Sequence, residues 1–147
     1  MRPHPTFARA SLGGFVGTLA MTVMMYVVAP MMGVHMDIAA MLGSNLGGSW
    51  TAGMAMHFIN GTVILPSIYA YGLYAYLPGS PATRGTIWGV VLWLLVQTMV
   101  MPMMGGGFFS AAMGGMMAAG GSLLGHILYG SLLGVLASSP EPRVAHA

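Results

Sequence analysis

The feature that most constrains this chain is a series of long apolar segments without a charged side chain. The first runs for 22 residues, from Ser11 to Met32. At about 1.5 Å per residue, a helix of that length crosses the roughly 30 Å of hydrocarbon in a bilayer. Four such segments predict an all-α membrane protein with four transmembrane helices in one membrane domain, residues 1–147. The predicted spans are residues 11–32, 51–77, 85–104 and 118–137.

Charge is scarce along the whole chain, and this agrees with a membrane location. Only 4% of the 147 residues are charged, whereas an ordinary soluble domain has about 25%. The predicted partner is therefore the lipid bilayer. Four scattered arginines form no basic stripe, so nucleic acid is not expected as a partner. The chain has no cysteine, which excludes disulfides, thiolate metal ligands and cysteine nucleophiles.

The arginines predict how the spans are oriented. With four spans, both termini and the turn between spans two and three lie on the same side of the membrane. Every arginine falls on that side: Arg2, Arg9, Arg84 and Arg143. The positive-inside rule then predicts a multi-pass membrane protein with cytoplasmic N- and C-termini.

An internal repeat organises the predicted spans. The motif Pro-Met-Met-Gly begins at Pro30 and again at Pro102, 72 residues later, and His57 and His126 are 69 residues apart. The chain is therefore predicted to consist of two parallel helical-hairpin repeats, residues 9–77 and 81–137. Repeats of this type are related by an axis along the membrane normal, which would place the two histidines at the same depth.

The two histidines are the strongest functional candidates, since an ionisable side chain within a membrane span usually serves a function. The first hypothesis is a bis-histidine haem b site. Glycines near the histidines would leave room for a flat macrocycle, and nearby polar side chains would accept the second ring N–H of each ligand. The predicted ligands are His57 and His126, the predicted small neighbours are Gly53, Gly61, Gly125 and Gly130, and the predicted hydrogen-bonding residues are Asn60, Gln97 and Tyr129.

Two alternatives remain open at this point. Seventeen methionines suggest a copper-handling protein, because thioethers and imidazoles suit Cu(I). The candidate metal ligands are His57, His126, Met54, Met56, Met103 and Met104. In the other alternative no cofactor is bound, and the histidines only form hydrogen bonds between helices that pack through small residues.

No catalytic residues are predicted. No carboxylate lies within a span, so a general acid–base pair is not available there. The predicted role is a non-catalytic subunit or accessory protein of a respiratory or redox membrane system. The partners expected for such a protein are a larger membrane complex or further copies of the chain. A four-helix unit so rich in glycine is expected to pack shut, so a pore would need oligomerisation.

Several motifs between residues 53 and 137 carry a resemblance to a known group of proteins. These motifs are Met56-His57-Phe58, Trp88-Gly89, Gly125-His126 and the stretch from Pro102 to Ser110. They resemble small bacterial four-span integral membrane proteins of uncharacterised function. The resemblance implies a compact helical protein of the bacterial inner (cytoplasmic) membrane and brings no established activity with it. By analogy, it implies an accessory partner of respiratory membrane complexes.

Overall fold

The computed structural model describes residues 4–138, which form five helices. The all-α prediction is confirmed. Arg2 and Arg143, on which the predicted orientation partly rests, lie outside the described residues. The helices are α1, Phe7–Met31; α2, Ile38–Ser44; α3, residues 50–73; α4, Pro81–Met103; and α5, Gly115–Ala137, with a short 3₁₀ turn at Phe108–Ser110.

Three of the five helices, α1, α4 and α5, are long and apolar enough to cross a membrane. Their large apolar side chains point outwards: Leu19, Leu94 and Val135 are all exposed. The chain is therefore a multi-pass membrane protein. Helix α3 is of similar length but is not among these candidates, because His57 and Asn60 lie in the middle of its apolar sequence.

All four long helices begin before the predicted spans, and a polar side chain caps the first turn of α1, α3 and α4. Helix α1 begins at Phe7, where the Thr6 hydroxyl accepts a hydrogen bond from the Arg9 amide. Helix α4 begins at Pro81, where Ser80 accepts from the Thr83 amide at 3.2 Å. Proline suits this first helical position because its missing N–H would have no partner there. The predicted spans that correspond to α1 and α4 begin at residues 11 and 85.

Helix α2 lies in a segment that contained no predicted helix. Its N-cap is Asp37, whose carboxylate accepts a hydrogen bond from the Ala40 amide at 2.9 Å. The same carboxylate accepts from the Tyr26 hydroxyl of α1 and from the Trp50 indole of α3, at 3.0 Å. One side chain therefore ties α1, α2 and α3 together.

A wide π-helical turn precedes each proline within a long helix. The turns are Met24–Val28 before Pro30, Asn60–Ile64 before Pro66 and Val96–Val100 before Pro102. In each turn the amide just before the proline bonds a carbonyl five residues back. A proline ring clashes with the carbonyl four residues before it, and the wider turn relieves that clash. Helix α3 consequently continues through Pro66.

The long helices pack as antiparallel neighbours in the order α3, α1, α5, α4. Glycines make these contacts close. A Cβ atom on Gly130 of α5 would overlap the carbonyl oxygen of Gly85 of α4, and one on Gly14 of α1 would overlap that of Gly61 of α3. Helices α3 and α4, at the two ends of this order, do not pack closely along their length.

The bundle is closed at one end and open at the other. The closed end, here called the arginine end, carries Arg9 and Arg84. There the Arg84 guanidinium lies 4.8 Å above the Tyr74 ring, and the Tyr74 hydroxyl is 3.2 Å from the Ser138 hydroxyl. The opposite end, here called the loop end, contains residues 32–49 and 104–114. The apolar core lies towards the arginine end, around Tyr69 and Leu133, both fully buried.

Candidate functional site

A cavity of about 800 Å³ occupies the half of the bundle towards the loop end. All four long helices and α2 contribute to its lining. The volume falls within the roughly 300–1,000 Å³ typical of small-molecule and cofactor sites. Its lining is mostly apolar. The expectation that a glycine-rich unit packs shut is therefore wrong for this half of the molecule, because α3 and α4 are separated there.

Both candidate histidines line this one cavity, His57 from α3 and His126 from α5. His126 is 7% exposed. Its Nδ1 lies 2.8 Å from the carbonyl oxygen of Ser122, one turn earlier in α5. A carbonyl oxygen only accepts, so Nδ1 carries the proton and Nε2 keeps its lone pair. Among residues 4–138 no hydrogen bond reaches Nε2, which is therefore available as a ligand atom.

His57 is held by a different arrangement. Its Nε2 lies 3.1 Å from the Thr22 hydroxyl of α1, and that hydroxyl lies 2.7 Å from the carbonyl oxygen of Thr18. Two oxygen acceptors at 2.7 Å would repel one another without a proton between them, so Thr22 donates to Thr18. The hydroxyl then accepts from His57. Nε2 of His57 is consequently protonated, which is the opposite tautomer from that of His126.

The four predicted glycine neighbours have two different roles. Gly61 and Gly125 line the cavity. Gly53 and Gly130 do not: Gly53 contacts the carbonyl of Ala39 in α2, and Gly130 contacts α4. Gly61 also has a structural role, because the π-helical turn leaves its carbonyl oxygen without the usual helical donor. The Tyr129 hydroxyl supplies that donor at 2.9 Å.

The residues predicted to hydrogen-bond the histidines are placed elsewhere. Asn60 and Tyr129 line the cavity, but neither forms a hydrogen bond with a histidine among the described residues. Gln97 is fully buried, and its side-chain oxygen accepts a hydrogen bond from Ser110 at 2.9 Å. It does not line the cavity. The residues that do hold the imidazoles are Thr22 and the Ser122 carbonyl, and no sequence spacing pointed to Thr22.

Methionines form much of the cavity wall, but the four methionines predicted as metal ligands are not among them. Met54, Met56, Met103 and Met104 do not line the cavity, and Met103 is 83% exposed. Within residues 4–138, no group of three His, Cys, Asp or Glu side chains could hold a metal. A metal in the cavity would therefore need thioether ligands. The methionines of the wall are Met21, Met24, Met25, Met32, Met36, Met41, Met101, Met116 and Met117.

These features define a class: an all-α, multi-pass membrane protein with a histidine-bearing apolar cavity. The chain belongs to DUF6789, a family of unknown function, whose family model matches residues 5–147. The match covers nearly the whole chain, and not only residues 53–137, from which a resemblance was inferred. None of the curated proteins and none of the solved structures compared with this chain matches it.

Proposed function

We propose that this protein is a non-catalytic membrane subunit that holds a haem b in the loop-end cavity, within a respiratory or redox system. His126 would bind the iron, and His57, the predicted second ligand, lines the same cavity from α3. The observation that carries the proposal is that two histidines from different helices line one apolar cavity of about 800 Å³. An axial imidazole with its other ring nitrogen bonded to a carbonyl is the arrangement that metal-binding histidines adopt, and His126 has it.

The walls suit a flat apolar macrocycle. Gly120 and Gly121 line the cavity, and because an added Cβ atom on either would meet nothing within 4 Å, a ring could approach the helix backbone there. Among the described residues, the lining contains no arginine or lysine to pair with the propionates of a haem, so these groups would have to reach water at the open loop end. In this site His126 and the apolar walls would hold the haem, and burial would tune its iron.

A second candidate function is copper handling, and the methionine wall favours it. Thioethers together with the free Nε2 of His126 form the soft ligand set that Cu(I) prefers. The two proposed functions, haem binding and copper handling, differ in what they require of the cavity wall. A haem depends on the shape of the cavity and on His126, whereas Cu(I) depends on sulfur atoms.

Binding experiments on purified protein in mild detergent distinguish the haem proposal from the copper alternative. After loading with haemin, the reduced-minus-oxidised spectrum of the unaltered chain is expected to show a bound b-type haem, and His126→Ala is expected to lower the haem content at least tenfold. His35→Ala is the matched control, since His35 is exposed and lies outside the cavity lining. Haem binding that is equal in all three proteins contradicts the haem proposal.

The copper alternative is tested with Cu(I) in the same preparation. Met21→Leu, Met24→Leu and Met101→Leu in one variant remove thioethers from the wall. The corresponding change at Met31, Met99 and Met103 is the control, because these side chains are exposed and do not line the cavity. Copper handling predicts lost binding in the first variant only. Unchanged copper content in both variants shows that Met21, Met24 and Met101 are not copper ligands.

We also propose that α3 spans the membrane, which makes four spans in two parallel hairpin repeats. Two observations support the repeat. The π-helical turns before Pro30 and Pro102 are 72 residues apart, and both helices end in the same way, with left-handed Gly33 and Gly105 at φ 75° and 80°. The repeat is not exact, since α1 packs against α5 whereas α3 and α4 stay apart. That asymmetry leaves room for the cavity.

A further inference from the structure

The two histidines of the cavity are not equivalent, and the difference has a functional consequence. His126 presents an unprotonated Nε2 to the cavity, because its proton is held on Nδ1 by the Ser122 carbonyl. His57 has its proton on Nε2, where it is donated to Thr22. Only one of the two imidazoles is therefore ready to bind a metal through Nε2.

For His57 to bind iron through Nε2, two changes are needed. The proton on Nε2 must leave while Nδ1 takes one up, so that the ring stays neutral and only its tautomer changes. The hydrogen bond to Thr22 must also break. Thr22 cannot turn to donate to the imidazole without giving up the Thr18 carbonyl. The hydrogen bonds from His57 through Thr22 to Thr18, here called the threonine relay, therefore oppose ligation by His57.

We propose that the threonine relay keeps His57 off the iron, so that His126 is the permanent ligand and the sixth coordination position is open to a small neutral ligand. This inference rests on the proposed haem function. An open position on a ferrous haem binds small π-acceptor molecules such as CO, and the polarity of the distal side together with steric access controls that binding. The apolar wall of the cavity admits an uncharged molecule of this kind. Thr22 is here a positioning residue that acts through His57.

The test uses the full chain in detergent, loaded with haemin, reduced, and mixed with CO. The unaltered protein is expected to give a high-spin ferrous spectrum and to bind CO in a single fast bimolecular phase. Thr22→Val removes the acceptor of the His57 proton. This variant is expected to become low-spin, with CO binding at least tenfold slower because His57 must first dissociate. Thr98→Val is the matched control, since Thr98 also donates to a carbonyl one turn back, at 2.7 Å, but is exposed and lies outside the cavity.

Two further variants separate the loss of the threonine relay from misfolding of the Thr22→Val protein. His57→Ala alone is expected to leave the spectrum and the CO rate of the unaltered protein unchanged. The double variant Thr22→Val with His57→Ala is expected to recover fast CO binding. The inference is overturned if the unaltered protein is already low-spin with slow CO binding, or if His57→Ala turns a low-spin haem high-spin. Failure of the haem proposal looks different, because haem is then not retained or is retained equally well without His126.

Discussion

At the residue scale, Asp37 shows how one charged group organises the loop end. Burial raises the pKa of this carboxyl, but hydrogen bonds from Tyr26, the Ala40 amide and Trp50 outweigh that effect and hold the pKa below its usual range. Hydrogen bonds to a charged acceptor are stronger than neutral ones. The ionised form of Asp37 therefore stabilises the junction of α1, α2 and α3.

This depressed pKa predicts an acid-sensitive loop end. The unfolded-state pKa of an aspartate is about 3.9, and the stabilisation is fully present above that pH. It is lost as the pH falls through the lower folded-state pKa. We expect the thermal unfolding temperature in detergent to fall below about pH 4 in the unaltered chain. For Asp37→Asn we expect a lower unfolding temperature at pH 7 and a flat profile in acid.

Glu141, the other acidic side chain of the sequence, provides the control. Glu141→Gln is expected to keep the acid dependence of the unaltered chain. An equally steep profile in Asp37→Asn would show that the acid sensitivity comes from another group.

At the scale of helices, close approach through glycine holds the bundle together. Gly85 and Gly89 of α4 contact the backbone of α5 at Gly130 and His126, while Gly17 of α1 contacts α5 at Tyr129. Helix α5 is thus held from both sides along backbone surfaces with little side chain between them. Small residues let helices pack in this way in a membrane, where apolar lipid provides no hydrophobic drive for association.

Gly130→Ala is therefore expected to destabilise the bundle by about 1–3 kcal/mol, the usual cost of overpacking. The added methyl would overlap the backbone of α4. Gly120→Ala in the same helix is the matched control, because a Cβ atom there meets nothing within 4 Å. Alanine is the better helix former by about 1 kcal/mol, so this control is expected to be neutral or stabilising. Thermal unfolding of the two variants measures the difference, and equal losses would contradict a backbone contact at Gly130.

At the scale of the whole molecule, the arginine end and the loop end define a direction across the membrane. Arg9 and Arg84 both lie at the arginine end, so the positive-inside rule favours the predicted orientation, in which this end faces the cytoplasm. The cavity would then lie in the outer half of the membrane. If the cavity holds a haem as proposed, that position would let it exchange electrons or ligands with partners on the outer side.

Because the chain has no cysteine, its orientation can be tested by single cysteine substitutions. Ser44→Cys marks the loop end and Ala75→Cys the arginine end, and both positions are exposed. In intact bacterial spheroplasts, a membrane-impermeant maleimide is expected to label Ser44→Cys, whereas Ala75→Cys is labelled only after permeabilisation. The reverse pattern would invert the proposed orientation. Labelling of both in intact cells would show that α3 does not span.

The sequence by itself determined the all-α membrane class, because the length of the apolar segments and the scarcity of charged residues can be read directly from it. It also pointed to the two histidines that line the cavity, since an ionisable group in an apolar run stands out without any coordinates. Helix α2 was not predicted because its seven residues, Ile38–Ser44, are short and are flanked by Asp37, Asn45 and paired glycines, which are typical of a loop. Gln97 was assigned to the histidines, but in the fold its partner is Ser110.

Only the tertiary structure decided what surrounds the histidines. The bond from His57 to Thr22 joins residues 35 positions apart, and no helical periodicity links α1 to α3. The methionines of the wall also depend on how far each proline-induced π-helical turn rotates its helix. The cavity exists because glycine contacts draw α5 against both α1 and α4, and no such contacts join α3 to α4. A pattern along one chain specifies faces of helices, whereas the pairing of those faces depends on packing between distant segments.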